Sequence, residues 1–204
     1  MATLTVFTPL YNRINTLKRT YESLKRQTSK DFVWLIIDDG STDNPYEIIK
    51  EWIKINNGFE IKYVYKENGG MHTAHNTAYE NIDTELNVCV DSDDYMPDNA
   101  VQLIIDCWNK NKNKGYAGII ALDFADSTKK VIGKELPTDK ESTTLMGYYN
   151  NGGFGDKKLI YSTDIIKQTP PYPVFDNEKY VALAYKYHLI DEKYELKILN
   201  EQIG

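Results

Sequence analysis

The chain has 204 residues, 41% hydrophobic and 26% charged, which fits one globular domain with a substantial core. A net charge of −6 lacks the basic footprint that general nucleic-acid binding needs, and no apolar run approaches the ~20 residues required to cross a bilayer. With no basic-then-apolar leader at the N-terminus, the expected location is the cytoplasm.

Thr3 to Thr8 reads as a first strand ending at Pro9, followed by a helical stripe of Ile14, Leu17, Tyr21 and Leu24. Asp31 to Ile37 is apolar from Phe32 onward, as in a parallel strand buried on both faces. Asp38-Asp39-Gly40-Ser41-Thr42-Asp43 then turns the chain. Asp43 or Asn44 is expected to cap a helix with Pro45 in its first turn and Ile48, Ile49, Trp52 and Ile53 on one side. Ile61 to Lys66 is a third strand, Asn68-Gly69-Gly70 a turn, and about His72 to Ile82 a helix. Leu86 to Val90 is a fourth strand, Pro97-Asp98 opens a helix with Val101, Leu103, Ile104 and Trp108, and Gly118 to Phe124 is a fifth strand. Strands alternating with helices over short connections predict an α/β fold with a mainly parallel central sheet.

Beyond residue 125 the pattern weakens. Asp126 to Lys140 is polar and reads as a hairpin or loop. Asn150 to Gly153 is loop, and Thr169-Pro170-Pro171-Tyr172-Pro173 is extended. A helix is expected over Asn177 to Ile190 and a last strand over Tyr194 to Leu199. The two cysteines, Cys89 and Cys107, read as small buried hydrophobes.

In open α/β sheets ligands bind beyond the carboxyl ends of the strands, and the polar clusters of this chain fall there. Thr8 to Arg13 follows the first strand, Asp38 to Asp43 the second, Lys66 to Gly70 the third and Asp91-Ser92-Asp93-Asp94 the fourth. Three carboxylates crowded at a strand end repel one another unless a cation sits among them. Mg²⁺ and Mn²⁺ take oxygen ligands, using one or two carboxylates together with substrate phosphates. Each cluster also has a plainer reading. Asp38 to Ser41 serves as a capping turn or offers a carboxylate to a base or ribose. Tyr11 packs at the rim or stacks on a base, and Lys66 and Arg13 are solvated or meet phosphate. Gly69-Gly70 is a plain turn or a close approach to a ligand. Glu178 favours a helix start or acts as an acid–base group, and Asp156 follows a glycine-rich loop. His72 and His75 lack a third ligand nearby in sequence, which excludes a zinc site.

Thr8-Pro9-Leu10-Tyr11-Asn12-Arg13, Asp38 to Asp43, Asn68-Gly69-Gly70 with Ala74-His75-Asn76, and Asp91-Ser92-Asp93-Asp94 occur in the order and spacing of family-2 glycosyltransferases of the GT-A fold, and the first 125 residues resemble that family. Gly155-Asp156-Lys157 and Phe175 to Tyr180 resemble a bacterial subgroup of it. The resemblance implies a single glycosyltransferase domain over 1–204, with a nucleotide-sugar half at 1–125 and an acceptor-side half at 126–204. It implies inverting transfer from a nucleotide-sugar, usually a UDP-sugar, to a saccharide or glycolipid acceptor, with Mn²⁺ or Mg²⁺ as cofactor. It also implies a place in the cytoplasm or peripherally at the inner face of the membrane.

By the same resemblance Tyr11 and Asp39 contact the uracil, Asp91 lies near the ribose and shares the metal with Asp93, and Asp94 supports that shell. Thr8, Arg13, Asp38, Lys66, Gly70, Asn76 and Ser92 complete the donor site. Glu178 corresponds to the general base, with Asp156 next in line. The acidic pair usual at that position stands here as Glu178-Lys179, and relatives continue past residue 204. A trimmed domain, or a compact member that binds nucleotide-sugars with reduced catalysis, is therefore the competing expectation. A nucleotidyltransferase would favour a glycine-rich basic loop where Pro9-Leu10-Tyr11-Asn12 stands. A phospho-receiver would carry the acidic pair after its first strand, not its second.

Overall fold

The computed structural model describes residues 2–204 and has a three-layer α/β architecture. The strands are β1 (Leu4–Leu10), β2 (Phe32–Asp39), β3 (Glu60–Lys66), β4 (Leu86–Cys89), β5 (Gly118–Leu122), β6 (Phe124–Ala125), β7 (Lys130–Val131), β8 (Ser142–Thr143), β9 (Lys157–Ser162) and β10 (Leu196–Gln202). The helices are α1 (Ile14–Arg26), α2 (Tyr46–Lys54), α3 (Met71–Asn81), α4 (Ala100–Asn111), α5 (Leu145–Asn150), α6 (Thr163–Gln168) and α7 (Ala184–Asp191). Eight strands form one sheet in the order β3-β2-β1-β4-β9-β5-β10-β8, and β6 pairs with β7 in a separate hairpin.

The continuous apolar run of β2 is used on both faces. Phe32, Trp34 and Ile36 join Leu17, Tyr21 and Leu24 of α1, Ile49 and Trp52 of α2, and Val101, Ile104 and Trp108 of α4. Leu35 and Ile37 point the other way, into a second core with Ala74, Ala78 and Tyr79 of α3, Ile166 of α6 and Ile190 of α7. Period-two alternation thus explains why no polar residue interrupts the strand. Tyr21 and Trp52 stack with ring centroids 4.1 Å apart at 9°, locking α1 to α2 across β2.

The sequence expectations differ from the structure in four places. First, the central sheet is mainly parallel as expected, but β9, a strand absent from the expected elements, inserts antiparallel between β4 and β5. Second, the fifth strand ends at Leu122, and Phe124-Ala125 turns away into the β6–β7 hairpin. Third, Asn177 adopts φ 66° and Glu178 lies in a tight turn bridged to Phe175, so the late helix starts only at Ala184. A left-handed residue cannot continue a right-handed helix. Fourth, Asp43 does not cap α2. Its Oδ2 accepts from the Ile14 amide at 3.0 Å, at the first turn of α1. That bond ties the loop after β2 to the loop after β1.

Candidate active site

The carboxyl ends of β1, β2 and β4 lie side by side because these strands are parallel and adjacent. The first two loops are stitched together. Asn12, at φ 52°, donates its amide to Ser41 Oγ at 3.0 Å, and its side-chain oxygen accepts from the Thr42 amide at 2.7 Å. Between them and the tetrad opens a cavity of about 580 Å³. Tyr11, Arg13, Asp39, Gly70, Asp91, Ser92 and Asp93 all line it, as do Asn68, Met71 and Lys179, which the sequence reading had not assigned.

Asp39 is almost fully buried, at 4% exposure. Its Oδ1 accepts from Lys66 Nζ at 2.5 Å and the Gly69 amide at 3.0 Å. Its Oδ2 accepts from the Gly70 amide at 2.8 Å and Asn68 Nδ2 at 3.1 Å. A carboxylate offers about four acceptor positions, and all are taken within the protein. Asp39 therefore shapes the cavity wall by folding the Asn68–Gly70 loop onto the end of β2. Asp38, level with it, accepts from the Ser41 amide at 2.8 Å and from Tyr63 Oη, and faces away from the cavity.

Several other sequence candidates are also held internally. Lys66 Nζ donates to Asp39, to the Glu67 carbonyl and to Thr73 Oγ1 at 2.8 Å, so its three donors are in use. Thr8 is fully buried and accepts from Trp34 Nε1 at 3.0 Å. Asn76 clasps the backbone of Tyr172 with two bonds of 2.9 Å, fixing the proline-rich segment on α3. Glu178 and Asp156 are exposed, outside the wall of the donor cavity. The turn carrying Glu178 nevertheless borders it. Lys179 Nζ donates to Asn68 Oδ1 at 2.7 Å, and the Lys179 carbonyl lies 2.1 Å from where a Cβ on Gly70 would stand. Gly70, at φ 93°, thus lets the turn close against the loop. No sequence signal marks Lys179 beyond its place beside Glu178.

The tetrad behaves differently from Asp39. Asp91 opens to the cavity, and among the described residues the only hydrogen-bond neighbour of its side chain is the weak thiol donor of Cys89 at 3.7 Å. Desolvation by the surrounding protein raises its pKa. Lys158 opposes the rise, and Asp94 and Asp93 add to it. Asp93 pairs with Arg13 at 2.9 Å, both half exposed. On β9, level with Val90 just before the tetrad, Lys158 Nζ stands 3.3 Å from Asp123 Oδ1. Burial works against its ammonium, but Asp123, Asp94, Cys89 and Asp91 outweigh that and raise its pKa.

The oxygen donor set suits a hard divalent cation. Asp91 carries a carboxylate without a strong internal partner, and like charges crowd it. Among the described residues no cluster of three or more His, Cys, Asp or Glu side chains forms a complete metal cage.

The sequence profile described as "Glycosyl transferase family 2" matches residues 5–169. The chain belongs to that family. Its architecture is the GT-A fold. An uncharacterized glycosyltransferase of Rickettsia conorii is 30% identical over 148 residues, covering 70% of this chain and 24% of the relative. The glycosyltransferase GlyA of Streptococcus pneumoniae is 35% identical over 101 residues, covering 50% of this chain and 14% of the relative. The chain thus spans about a quarter or less of the length of these relatives. Among solved structures, S. aureus TarS 1-349 in complex with UDP-GlcNAc superposes with a TM-score of 0.75 at 19% identity, covering 98% of this chain and 57% of that one. A Pyrobaculum calidifontis mannosyltransferase in complex with GDP-Man and Mn²⁺ gives 0.62 at 17% identity, covering 98% and 54%. Both likenesses are of fold. The family profile covers β1 to α6, and so includes the antiparallel β9 as well as the four polar clusters.

Proposed function

We propose that this family-2 glycosyltransferase domain transfers a sugar from a UDP-sugar, with inversion, to a hydroxyl of a saccharide or glycolipid acceptor used in cell-surface polysaccharide or glycolipid synthesis. One observation carries the reading. A single cavity holds a half-exposed aromatic ring, Tyr11, and the open carboxylates of Asp91 and Asp93. A flat ring and acidic oxygens on one cavity wall suit a base and a metal-bound diphosphate. The UDP-GlcNAc complex of the similar fold in TarS is in keeping with a uridine donor.

In this reading Asp91 and Asp93 hold Mn²⁺ or Mg²⁺, which when bound stabilises negative charge on the departing diphosphate. Tyr11 stacks on the base, and Asp39 keeps the wall beside it in place. Arg13, on the same wall, offers a planar cationic group to a phosphate. Ser92 and Gly70 supply close approach along the floor and wall. Glu178 takes the acceptor proton as general base, with Asp156 the alternative. Among the described residues no helix is long and apolar enough to cross a membrane, and in this reading a lipid-linked acceptor is met at the inner face of the membrane.

Calorimetric titration of UDP with and without Mn²⁺ tests the donor site. Binding that tightens with Mn²⁺, and loses that dependence in Asp93→Ala, is expected. UDP binding that ignores Mn²⁺ in the wild type would sink the metal assignment. Glu178→Gln should bind UDP as the wild type does and lose turnover by about 10²-fold or more. Full turnover in that variant would move the base to another residue, with Asp156→Asn the next variant to measure.

A further inference from the structure

β9 is the strand that parallel topology did not require, and it sets a buried charge beside the last residue before the tetrad. Its register sets Lys158 opposite Ala121 of β5, and the pairing of Val88 with Ile160 carries forward to bring Lys158 level with Val90, just before the tetrad. Successive strand residues face opposite sides of a sheet. Lys157 accordingly turns one way, its ammonium donating to the Ile132 carbonyl at 3.0 Å and the Asp156 carbonyl at 2.9 Å. Lys158 turns the other way, to Asp123 Oδ1 at 3.3 Å. Both lysines are only 8% exposed.

The stem of Lys158 is covered by the backbone at Gly204, where a Cβ would lie 1.9 Å from Lys158 Cε. That backbone is fixed by the Gly204 carbonyl accepting from the Phe124 amide at 2.9 Å. Asp94 and Asp91 are the next carboxylates in the field of this ammonium. A long cationic side chain is rarely buried without a reason to hold its charge there. Asp123 alone would neutralise it, yet the register also sets this lysine level with Val90, next to Asp91 at the start of the tetrad.

We propose that Lys158 is a positioning residue for the donor: a fixed internal cation that offsets part of the tetrad's negative charge and so sets the balance between divalent cation and diphosphate in the cavity. This rests on the donor reading above. A charge beside the tetrad attracts phosphate and repels a metal ion, so removing it moves the two affinities in opposite directions. A side chain that only held the fold would weaken both together.

The test measures two affinities separately on the whole protein: Mn²⁺ alone, and UDP alone in the presence of a chelator. In Lys158→Met, Mn²⁺ should bind about fivefold tighter and UDP about fivefold more weakly. Asp123→Asn leaves the ammonium uncompensated and should do the reverse, and Lys158→Arg should stay near the wild type in both. If Lys158→Met does not fold, as a thermal melt would reveal, Asp123→Asn decides. Unchanged affinities, or affinities that fall together, overturn the proposal while leaving the donor reading intact. A wild-type protein that binds UDP neither alone nor with Mn²⁺ overturns the donor reading and this proposal with it.

Discussion

Two strand ends of this molecule carry acidic residues next to one cavity, and they use them in opposite ways. At the end of β2, Asp39 spends both oxygens on four donors from Lys66, Asn68, Gly69 and Gly70. At the end of β4, among the described residues, the Asp91 carboxylate has only a thiol neighbour and the Asp93 carboxylate only a half-exposed arginine. Identical chemistry at equivalent places in a parallel sheet thus serves architecture in one case and remains available to a ligand in the other. The difference comes from the following loop. After β2 the chain is met by the glycine-rich turn after β3, which supplies amides. The turn after β4 instead bonds back on itself, through the Asp94 amide to the Asp91 carbonyl at 2.9 Å.

The largest expected effect follows from removing the occupied carboxylate. Asp39→Ala would strand the Lys66 ammonium and two loop amides in a region where Asp39 is 4% exposed. Breaking a buried pair by deleting one partner costs about 3–5 kcal/mol. Denaturant unfolding should register a loss of that size. A loss under about 1 kcal/mol would show that water replaces these bonds and that the β2 end is as open as the β4 end.

Gly70→Ala probes the same wall with a smaller effect. At φ 93° and with the Lys179 carbonyl 2.1 Å from the new methyl group, alanine must shift either the loop or the turn. A strained backbone of this kind costs about 1–3 kcal/mol. A measured loss in that range, with weaker UDP binding as the wall moves, is the expected outcome. Stability and binding both equal to the wild type would show that the turn carrying Glu178 and Lys179 is not seated on Gly70.

How much of this was legible in the sequence follows the same division. Strands β1 to β4 and their polar ends could be read because each strand has an apolar or alternating centre, each loop is polar, and parallel order places all the ends on one edge. The fate of each carboxylate could not be read, because it depends on which loop amides arrive from elsewhere in the chain. Asp39 and Asp91 look alike until the loop after β3 is in place. β9 was invisible for a different reason. It opens with Lys157-Lys158, which reads as solvated surface, whereas both lysines are buried on carbonyls or on Asp123. The helix expected from Asn177 begins only at Ala184, after a left-handed Asn177 and the Phe175–Glu178 turn that helical spacing does not reveal.

The smallest effect is the one that separates the two strand ends most sharply. Asp91 has a raised pKa, so the folded protein binds its proton more tightly than the unfolded chain does. Stability from this group therefore falls as pH rises from the ordinary carboxylate value of about 4 through the raised folded value, and at pH 7 the charge is a net cost. Asp91→Asn removes that cost. The variant should melt slightly above the wild type at pH 7, and the gap should close as pH is lowered toward about 4. Mn²⁺ added to the wild type should narrow the same gap, because a cation on the carboxylate relieves the same crowding in the folded state alone. A variant that melts below the wild type would mean that Asp91, like Asp39, is held by internal partners, and that the free carboxylate this site offers a cation lies elsewhere in the tetrad.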